Sequence, residues 1–147
     1  MIRRYKAEDL EEAAAVFMTA FAAPPWNEKW NIDICRARIS ELMSAPQSIG
    51  YVYEDNEGIK AVLCGRKLTY LHGPEYVIDE FCVSPELHRS GIGTAVLGYA
   101  ANELINEDVV AIALMTAKGY PSEKFYIKNG FEGNEGMIFM YRVLDKK

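Results

Sequence analysis

Hydrophobic positions near the start of the chain recur with the period of an α-helix. Apolar side chains return three or four positions apart over residues 10–21 and again over residues 35–43. This spacing gathers them on one face, which predicts two amphipathic helices packed on a core. Pro24 and Pro25 end the first helix, because proline lacks the backbone N–H that a helix interior needs.

The pattern then changes to short β-type runs. Residues 49–53 and 59–63 are separated by a stretch whose Asn and Gly residues suit a hairpin turn. The second run can continue to residue 68, and the mixed segment at residues 2–6 predicts a short first strand.

Strands and helices alternate through the second half. Residues 76–83 predict a strand, residues 91–106 a helix with apolar residues on several sides, and residues 108–116 a strand buried on both faces. A short helix that begins near Pro121 and a final β run at residues 137–143 complete the series. This order predicts an α/β fold with a central mixed sheet of six or seven strands and helices on both faces.

Two acids interrupt the strand at residues 76–83. Side chains alternate across a strand, so Asp79 and Glu80 cannot both face the core unless a β-bulge intervenes. We therefore expect one of these carboxylates to lie in an unusual place.

The composition is typical of one globular domain. The chain has 147 residues, of which 50% are apolar and 25% charged, and no apolar run approaches the ~20 residues that cross a bilayer. A net charge of −5 argues against nucleic-acid binding, which needs a basic surface. No apolar signal segment precedes the first helix. We expect a single cytoplasmic domain over residues 1–147 with no membrane partner, for which a homodimer is a compatible assembly.

The cysteines indicate neither disulfides nor metal. Cys35, Cys64 and Cys82 are odd in number and lack the spacing of a zinc site. We expect them to be small buried residues, and we expect no metal cofactor.

Residues 88–94, HRSGIGT, lie where a predicted strand passes into a helix. The first N–H groups of a helix lack partners and carry a partial positive charge, so such a turn can bind phosphate. Gly91 and Gly93 would let a phosphate approach the backbone, with optional charge from His88 and Arg89. A tight turn that binds nothing is the alternative.

Two segments resemble signatures of a known family. HRSGIG resembles the acetyl-CoA-binding motif of the GNAT superfamily of N-acetyltransferases, which is Gln or Arg, two residues, Gly, any residue, then Gly or Ala; His88 departs from it. Residues 125–131, FYIKNGF, resemble the family's FY-x-K-x-GF signature. With the order of elements, the resemblance spans nearly the whole chain. It implies a mostly antiparallel GNAT-like sheet whose strands at 76–83 and 108–116 form a splayed parallel pair around the pantetheine arm of acetyl-CoA.

The implied reaction is acetyl transfer from acetyl-CoA to an amine. An alkylamine has a pKa near ~10.4, so a base must remove a proton before the nitrogen can attack. Related sequences commonly carry an acid three residues before the valine that corresponds to Val83, which makes Glu80 our candidate base and Asp79 the second choice. The alternative interpretation is that both acids solvate the end of the strand or form ion pairs with Arg66 or Lys67.

Tyr126 matches the family's tyrosine and is the candidate acid for the leaving thiolate, with ordinary packing of a helix tyrosine as the alternative. The resemblance also implies the residues that bind the cofactor, which are Phe81, Cys82, Val83, His88, Arg89, Ser90, Gly91, Ile92, Gly93, Thr94, Ser122 and Phe125. Backbone N–H groups near Cys82 and Val83 would stabilise the thioester oxygen. Gly119 and Ser122 depart from the usual Asn and Ala, so the Ser122 hydroxyl is expected to replace a lost hydrogen bond to CoA.

The loop PPWNEKW, residues 24–30, is the candidate wall of the acceptor site. Trp26 and Trp30 offer apolar or cation–π surface, and Glu28 offers a counter-charge for a cationic amine. Asp79 is a further candidate for substrate binding. Packing between two helices is the alternative role of the tryptophans.

The function expected from these features is N-acetylation of a primary amine on a small molecule. Polyamines, aminoglycoside-like amines and amino-acid derivatives all fit the expectation. A protein or peptide N-acetyltransferase and a non-catalytic CoA-binding sensor are the alternatives.

Overall fold

The computed structural model describes residues 1–146, which form two compact units, residues 1–115 and residues 116–146. The first unit contains β1 (Ile2–Arg4), α1 (Leu10–Ala22), α2 (Ile32–Met43), β2 (Ser48–Asp55), β3 (Gly58–Leu68), β4 (Glu75–Val83), α3 (Ile92–Ile105) and β5 (Ala111–Ala113). The second unit contains α4 (Pro121–Lys128). These elements follow the predicted order, although β5 is shorter than the apolar run at residues 108–116.

The strands form one sheet in the order β1-β2-β3-β4-β5. The first three pairs are antiparallel and the β4–β5 pair is parallel, which confirms the mixed, mostly antiparallel sheet. The described residues contain five strands where we predicted six or seven. Residues 137–143, predicted as a final strand, have no strand assigned. A β-strand is defined by hydrogen bonds to a neighbouring strand. Residues 116–146 contain no strand with which this run could pair.

Helices cover both faces of the sheet. On one face α1 and α2 form a buried cluster with β2, β3 and β4, whose members include Ala13, Ala14, Phe17, Cys35, Ile39, Val52, Val62, Cys64 and Cys82. On the other face Tyr51 of β2 meets Tyr99 of α3, with ring centroids 5.9 Å apart. All three cysteines are free and buried, as predicted.

The strand β4 carries a β-bulge at the two acids, the irregularity considered there from the sequence. Cys64 of β3 lies opposite Glu80, and the next residue, Gly65, lies opposite Ile78. Asp79 is therefore left without a partner across the ladder, in the arrangement of a β-bulge.

The parallel strands β4 and β5 pair only briefly. Their register joins Glu75–Val77 to Ala111–Ala113 and then stops, while β4 continues for six more residues to Val83. Within residues 1–115, the edge of residues 78–83 that faces away from β3 has no strand beside it. This is the separation that the predicted splayed pair requires.

The helix α4 begins and ends as its sequence predicts. Pro121 stands in the first turn, and the chain leaves the helix through Asn129 and Gly130, which has a φ of 92°. The Phe131 N–H donates to the Tyr126 carbonyl at 3.0 Å. No helix among residues 1–146 has the length and apolar character needed to cross a membrane.

Candidate active site

Glu80 is held by an arginine from the second helix. Arg38 of α2 donates from Nε and Nη2 to Glu80 Oε2, at 3.1 and 2.9 Å. The Glu80 side chain is 18% exposed and that of Arg38 is 41% exposed, so the pair lies at the boundary between core and solvent. Glu80 reaches this helix because it lies opposite Cys64, whose side chain belongs to the core under α1 and α2.

The surroundings of Glu80 favour its protonated form. Burial is the largest influence and raises the pKa of the Glu80 carboxyl, and the carboxylates of Glu28 and Asp79 raise it further. Arg38 opposes these effects, and the net pKa of Glu80 remains above its ordinary value. A carboxylate with a raised pKa is suited to accept a proton near neutral pH.

Both carboxylate oxygens of Asp79 accept hydrogen bonds, whereas Arg38 binds only one oxygen of Glu80. Arg66 of β3 donates from Nε to Asp79 Oδ2 and from Nη2 to Oδ1, both at 2.8 Å. This is the ion pair that the alternative interpretation expected for Asp79. The corresponding partner of Glu80 is Arg38, 42 residues away in the chain, rather than Arg66 or Lys67.

The loop between α1 and α2 brings a third acid near Glu80. Trp30 donates from Nε1 to Glu28 Oε1 at 2.9 Å, and the backbone N–H of Glu28 donates to the Phe21 carbonyl at 2.8 Å. The Trp30 ring packs edge-on against Phe17, and Trp26 packs against Phe21, with centroids 4.8 and 5.6 Å apart. Both tryptophans therefore anchor the loop, whose Glu28 carboxylate acts on Glu80.

The segment between β4 and α3 turns through two residues in the left-handed conformation. Arg89 and Gly91 both adopt left-handed conformations, with φ of 65° and 86°, and Gly91 is the N-cap of α3. A Cβ at Gly91 would meet no atom within 4 Å, so there is open space on the side of Gly91 where a side chain would project. His88 Nε2 donates to the Val83 carbonyl at 3.1 Å, which ties the turn to the end of β4.

The other candidate cofactor residues of the first unit lie at the end of β4, in the turn that follows it and in the first turn of α3. Phe81, Cys82 and Val83 occupy the stretch of β4 beyond its pairing with β5. Ser90 donates from Oγ to the Leu87 carbonyl, and Ile92, Gly93 and Thr94 form the first turn of α3. The structure thus brings all of these candidates to one strand end and the turn that follows it.

Ser122, Phe125 and Tyr126 lie in the second unit, on α4. Ser122 Oγ and Thr116 Oγ1 are 2.7 Å apart and share a hydrogen bond. The Tyr126 ring makes edge contacts with Phe125 and Phe131, at centroid distances of 5.2 and 5.3 Å. These contacts orient the aromatic ring within its own unit.

Arg38 is the residue that sequence reasoning missed. It lies next to Ile39, which is fully buried, on a helix otherwise predicted only by its apolar stripe. An arginine beside a core position is a weak signal, because long cationic side chains commonly reach past the core to solvent. Nothing in the residues around Arg38 indicates a partner on β4.

Solved structures share this fold at low sequence identity. A possible acetyltransferase from Clostridium difficile 630 is 18% identical, with a TM-score of 0.82 over 99% of this chain and 98% of that one. An aminoglycoside acetyltransferase from an uncultured soil metagenomic sample, in complex with sisomicin, is 15% identical, with a TM-score of 0.76 over 99% and 96%. A transcriptional regulator from Bacillus halodurans C-125 is 21% identical, with a TM-score of 0.76 over 97% and 99%. At these identities the likeness establishes the fold alone.

The family of this chain is shown by a match between its sequence and a family model. No curated protein matches the chain significantly. The family model described as acetyltransferase (GNAT) family matches residues 8–131, far more than half of the chain. This range includes both the HRSGIG and the FYIKNGF segments. The chain therefore belongs to the GNAT family of acetyltransferases.

Proposed function

We propose that this protein transfers an acetyl group from acetyl-CoA to a primary amine of a small molecule. The observation that carries the proposal is Glu80, a partly buried carboxylate whose pKa is raised mainly by burial. It lies on β4 between the end of the β5 pairing and the turn into α3.

The residues present fit acetyl-CoA. The open space beside Gly91 and the left-handed turn at Arg89 and Gly91 suit a pyrophosphate approached by backbone N–H groups. The edge of β4 that faces away from β3, along Phe81, Cys82 and Val83, offers backbone groups to an extended arm. Bound acetyl-CoA supplies a reactive thioester and a thiol leaving group.

Glu80 would take the proton of the acceptor ammonium. The N–H bond breaks, an O–H bond forms on the carboxylate, and the nitrogen lone pair becomes free to attack the acetyl carbon. Tyr126 would donate its phenolic proton to the departing sulfur, and solvent would restore it. An ordinary tyrosine phenol has a reference pKa of ~10 and therefore has a proton to donate near neutral pH.

The cysteines support direct transfer to the amine. Burial raises the pKa of the Cys64 and Cys82 thiols far above the ordinary range, and it also raises that of Cys35. A protonated, buried thiol is a poor nucleophile, so none of the three suits an acetylated enzyme intermediate.

The carboxylates of Glu28 and Glu80 suit a cationic acceptor. Glu28 and Glu80 lie near each other, and their charges favour an ammonium group. The structural neighbour that binds sisomicin, itself an aminoglycoside acetyltransferase, is consistent with a small polar amine as acceptor.

The test is release of free thiol from acetyl-CoA across polyamines, aminoglycosides, amino acids and peptides. We expect turnover with at least one small amine. Glu80→Gln keeps the size but removes the base, so the rate should fall about 10²-fold or more at neutral pH and recover partly at high pH, where free amine is abundant. Glu57→Gln, at a carboxylate 80% exposed, is the matched control and should behave like the parent protein.

Three outcomes would contradict the proposal. Tight binding of acetyl-CoA without turnover of any acceptor would indicate a sensor. Turnover limited to peptides would indicate a protein acetyltransferase. An unchanged pH–rate profile in Glu80→Gln would remove Glu80 as the base.

A further inference from the structure

The two carboxylates at the bulge differ in how many of their oxygens are bound. Arg66 uses both oxygens of Asp79, one for each nitrogen, at 2.8 Å. Arg38 directs both of its nitrogens to the single oxygen Oε2 of Glu80. In the part of the chain that the structure describes, Glu80 Oε1 accepts no hydrogen bond from another residue.

This difference separates a structural acid from a reactive one. Each oxygen of Asp79 already accepts a charge-assisted hydrogen bond from Arg66, which leaves one acceptor site on each, whereas among residues 1–146 both acceptor sites of Glu80 Oε1 are open. A carboxylate held at one oxygen is fixed in orientation while its second oxygen can accept a proton. Glu80 alone of the pair meets this description.

The ionisable groups around Glu80 come from several elements. They are Arg38 on α2, Glu28 on the loop before α2, Asp79 on β4 itself, and the buried thiols of Cys64 on β3 and Cys82 on β4. The thiols are neutral, because burial raises the pKa of each. Arg38 is therefore the one cation in this set, and it opposes two carboxylates and the effect of burial.

We infer that Arg38 is the positioning residue of the reaction, holding Glu80 by Oε2 so that Oε1 receives the proton of the acceptor ammonium. This inference rests on the proposed function. In the step, the nitrogen loses H⁺ and keeps its electron pair, Glu80 becomes a neutral acid, and Arg38 retains its own proton and charge. The guanidinium also lowers the pKa of Glu80 against the effect of burial, which favours the ionised form that a base needs.

The inference is tested first without turnover. The Glu80 carboxyl carbon is followed by NMR during a pH titration, and its signal is assigned by its loss in Glu80→Gln. Arg38→Met removes the cation but keeps an unbranched side chain, so the titration midpoint should move to higher pH. Arg38→Lys should return the midpoint toward that of the parent protein. Arg36→Met removes an arginine on the same helix that pairs with Glu11 and Asp33, and it should leave the midpoint in place.

Kinetics with the best amine acceptor then test the role. In Arg38→Met, kcat/KM at acid pH should fall about tenfold or more and approach the parent value at alkaline pH, with CoA affinity unchanged. An unmoved NMR midpoint, or an equal shift in Arg36→Met, would overturn the contact between Arg38 and Glu80. A shifted midpoint with an unmoved pH–rate profile would instead overturn Glu80 as the base and, with it, the positioning role of Arg38.

Discussion

Tyr126 illustrates how a single residue can serve packing and chemistry. Its ring has edge contacts with Phe125 and Phe131, and its backbone carbonyl accepts from the N–H groups of Asn129 and Phe131, both at 3.0 Å. A phenylalanine at this position would keep the ring and the backbone groups that make these contacts, so the contribution of the hydroxyl can be tested by itself.

Replacing Tyr126 by phenylalanine keeps the ring and removes the hydroxyl. We expect kcat to fall by about 10²- to 10⁴-fold with acetyl-CoA affinity nearly unchanged, since the phenol acts mainly in the transition state. Steady-state kinetics and calorimetry measure the two quantities. Tyr70→Phe, at a turn tyrosine 64% exposed, is the control and should have no effect. A Tyr126→Phe variant that retains most of its kcat would make Tyr126 a packing residue only.

At the scale of an element, the turn before α3 determines where this helix begins. Left-handed conformations at Arg89 and Gly91 turn the chain sharply between β4 and the helix, and the hydrogen bond from His88 to Val83 holds the turn to its strand. Glycine suits φ of 86° because a Cβ would cost roughly 1 kcal/mol there. The free space beside Gly91 means that a substitution changes the turn's surface more than its packing.

Gly91→Asp adds a negative charge where the proposed pyrophosphate would bind. We expect CoA affinity, measured by calorimetry, to be abolished while the protein remains folded. Gly91→Asn is the matched control, because asparagine has the same shape, tolerates the left-handed region and carries no charge. Its affinity should fall much less. Equal CoA affinity in Gly91→Asp and the parent protein would refute the phosphate-binding role of the turn.

At the scale of the whole molecule, the family match crosses the boundary between the two compact units. It runs from residue 8 to residue 131, whereas the units meet after residue 115. A shared family motif in each unit favours one cooperative domain over residues 1–147, and we keep this as a proposal.

Thermal unfolding tests both cooperativity and CoA binding. We expect one transition in which the calorimetric and van't Hoff enthalpies agree. CoA at 100 times its Kd should stabilise the protein by about 2.7 kcal/mol and raise Tm by several degrees, and Gly91→Asp should lose this shift. Two resolved transitions would refute the single domain, and an unchanged Tm would refute CoA binding.

Sequence reasoning succeeded where a signal is local. The helical period of α1 and the glycine turn before α3 can be read from residues close together in the chain. The consecutive acids Asp79 and Glu80 marked an irregular point in β4, where the structure has a β-bulge. The partner of Glu80 was not predictable, since Arg38 meets it only after α2 has packed on the sheet. The run at residues 137–143 has a strand-like pattern, but pattern alone does not supply the neighbour that makes a strand.

The bulge also changes which residues of β4 face each side of the sheet. Ile78 lies opposite Gly65 and Glu80 lies opposite Cys64, and because Gly65 and Cys64 are consecutive, their two even-numbered partners point to opposite sides of the sheet. In an unbroken strand Ile78 and Glu80 would share a side, and the carboxylate would face α3 instead of the helix that carries Arg38. Asp79 has no partner opposite, and beyond it the even-numbered residues of β4 face the side that the odd-numbered residues face before it. One additional residue in β4, rather than any property of the glutamate, thus determines which side of the sheet receives the carboxylate.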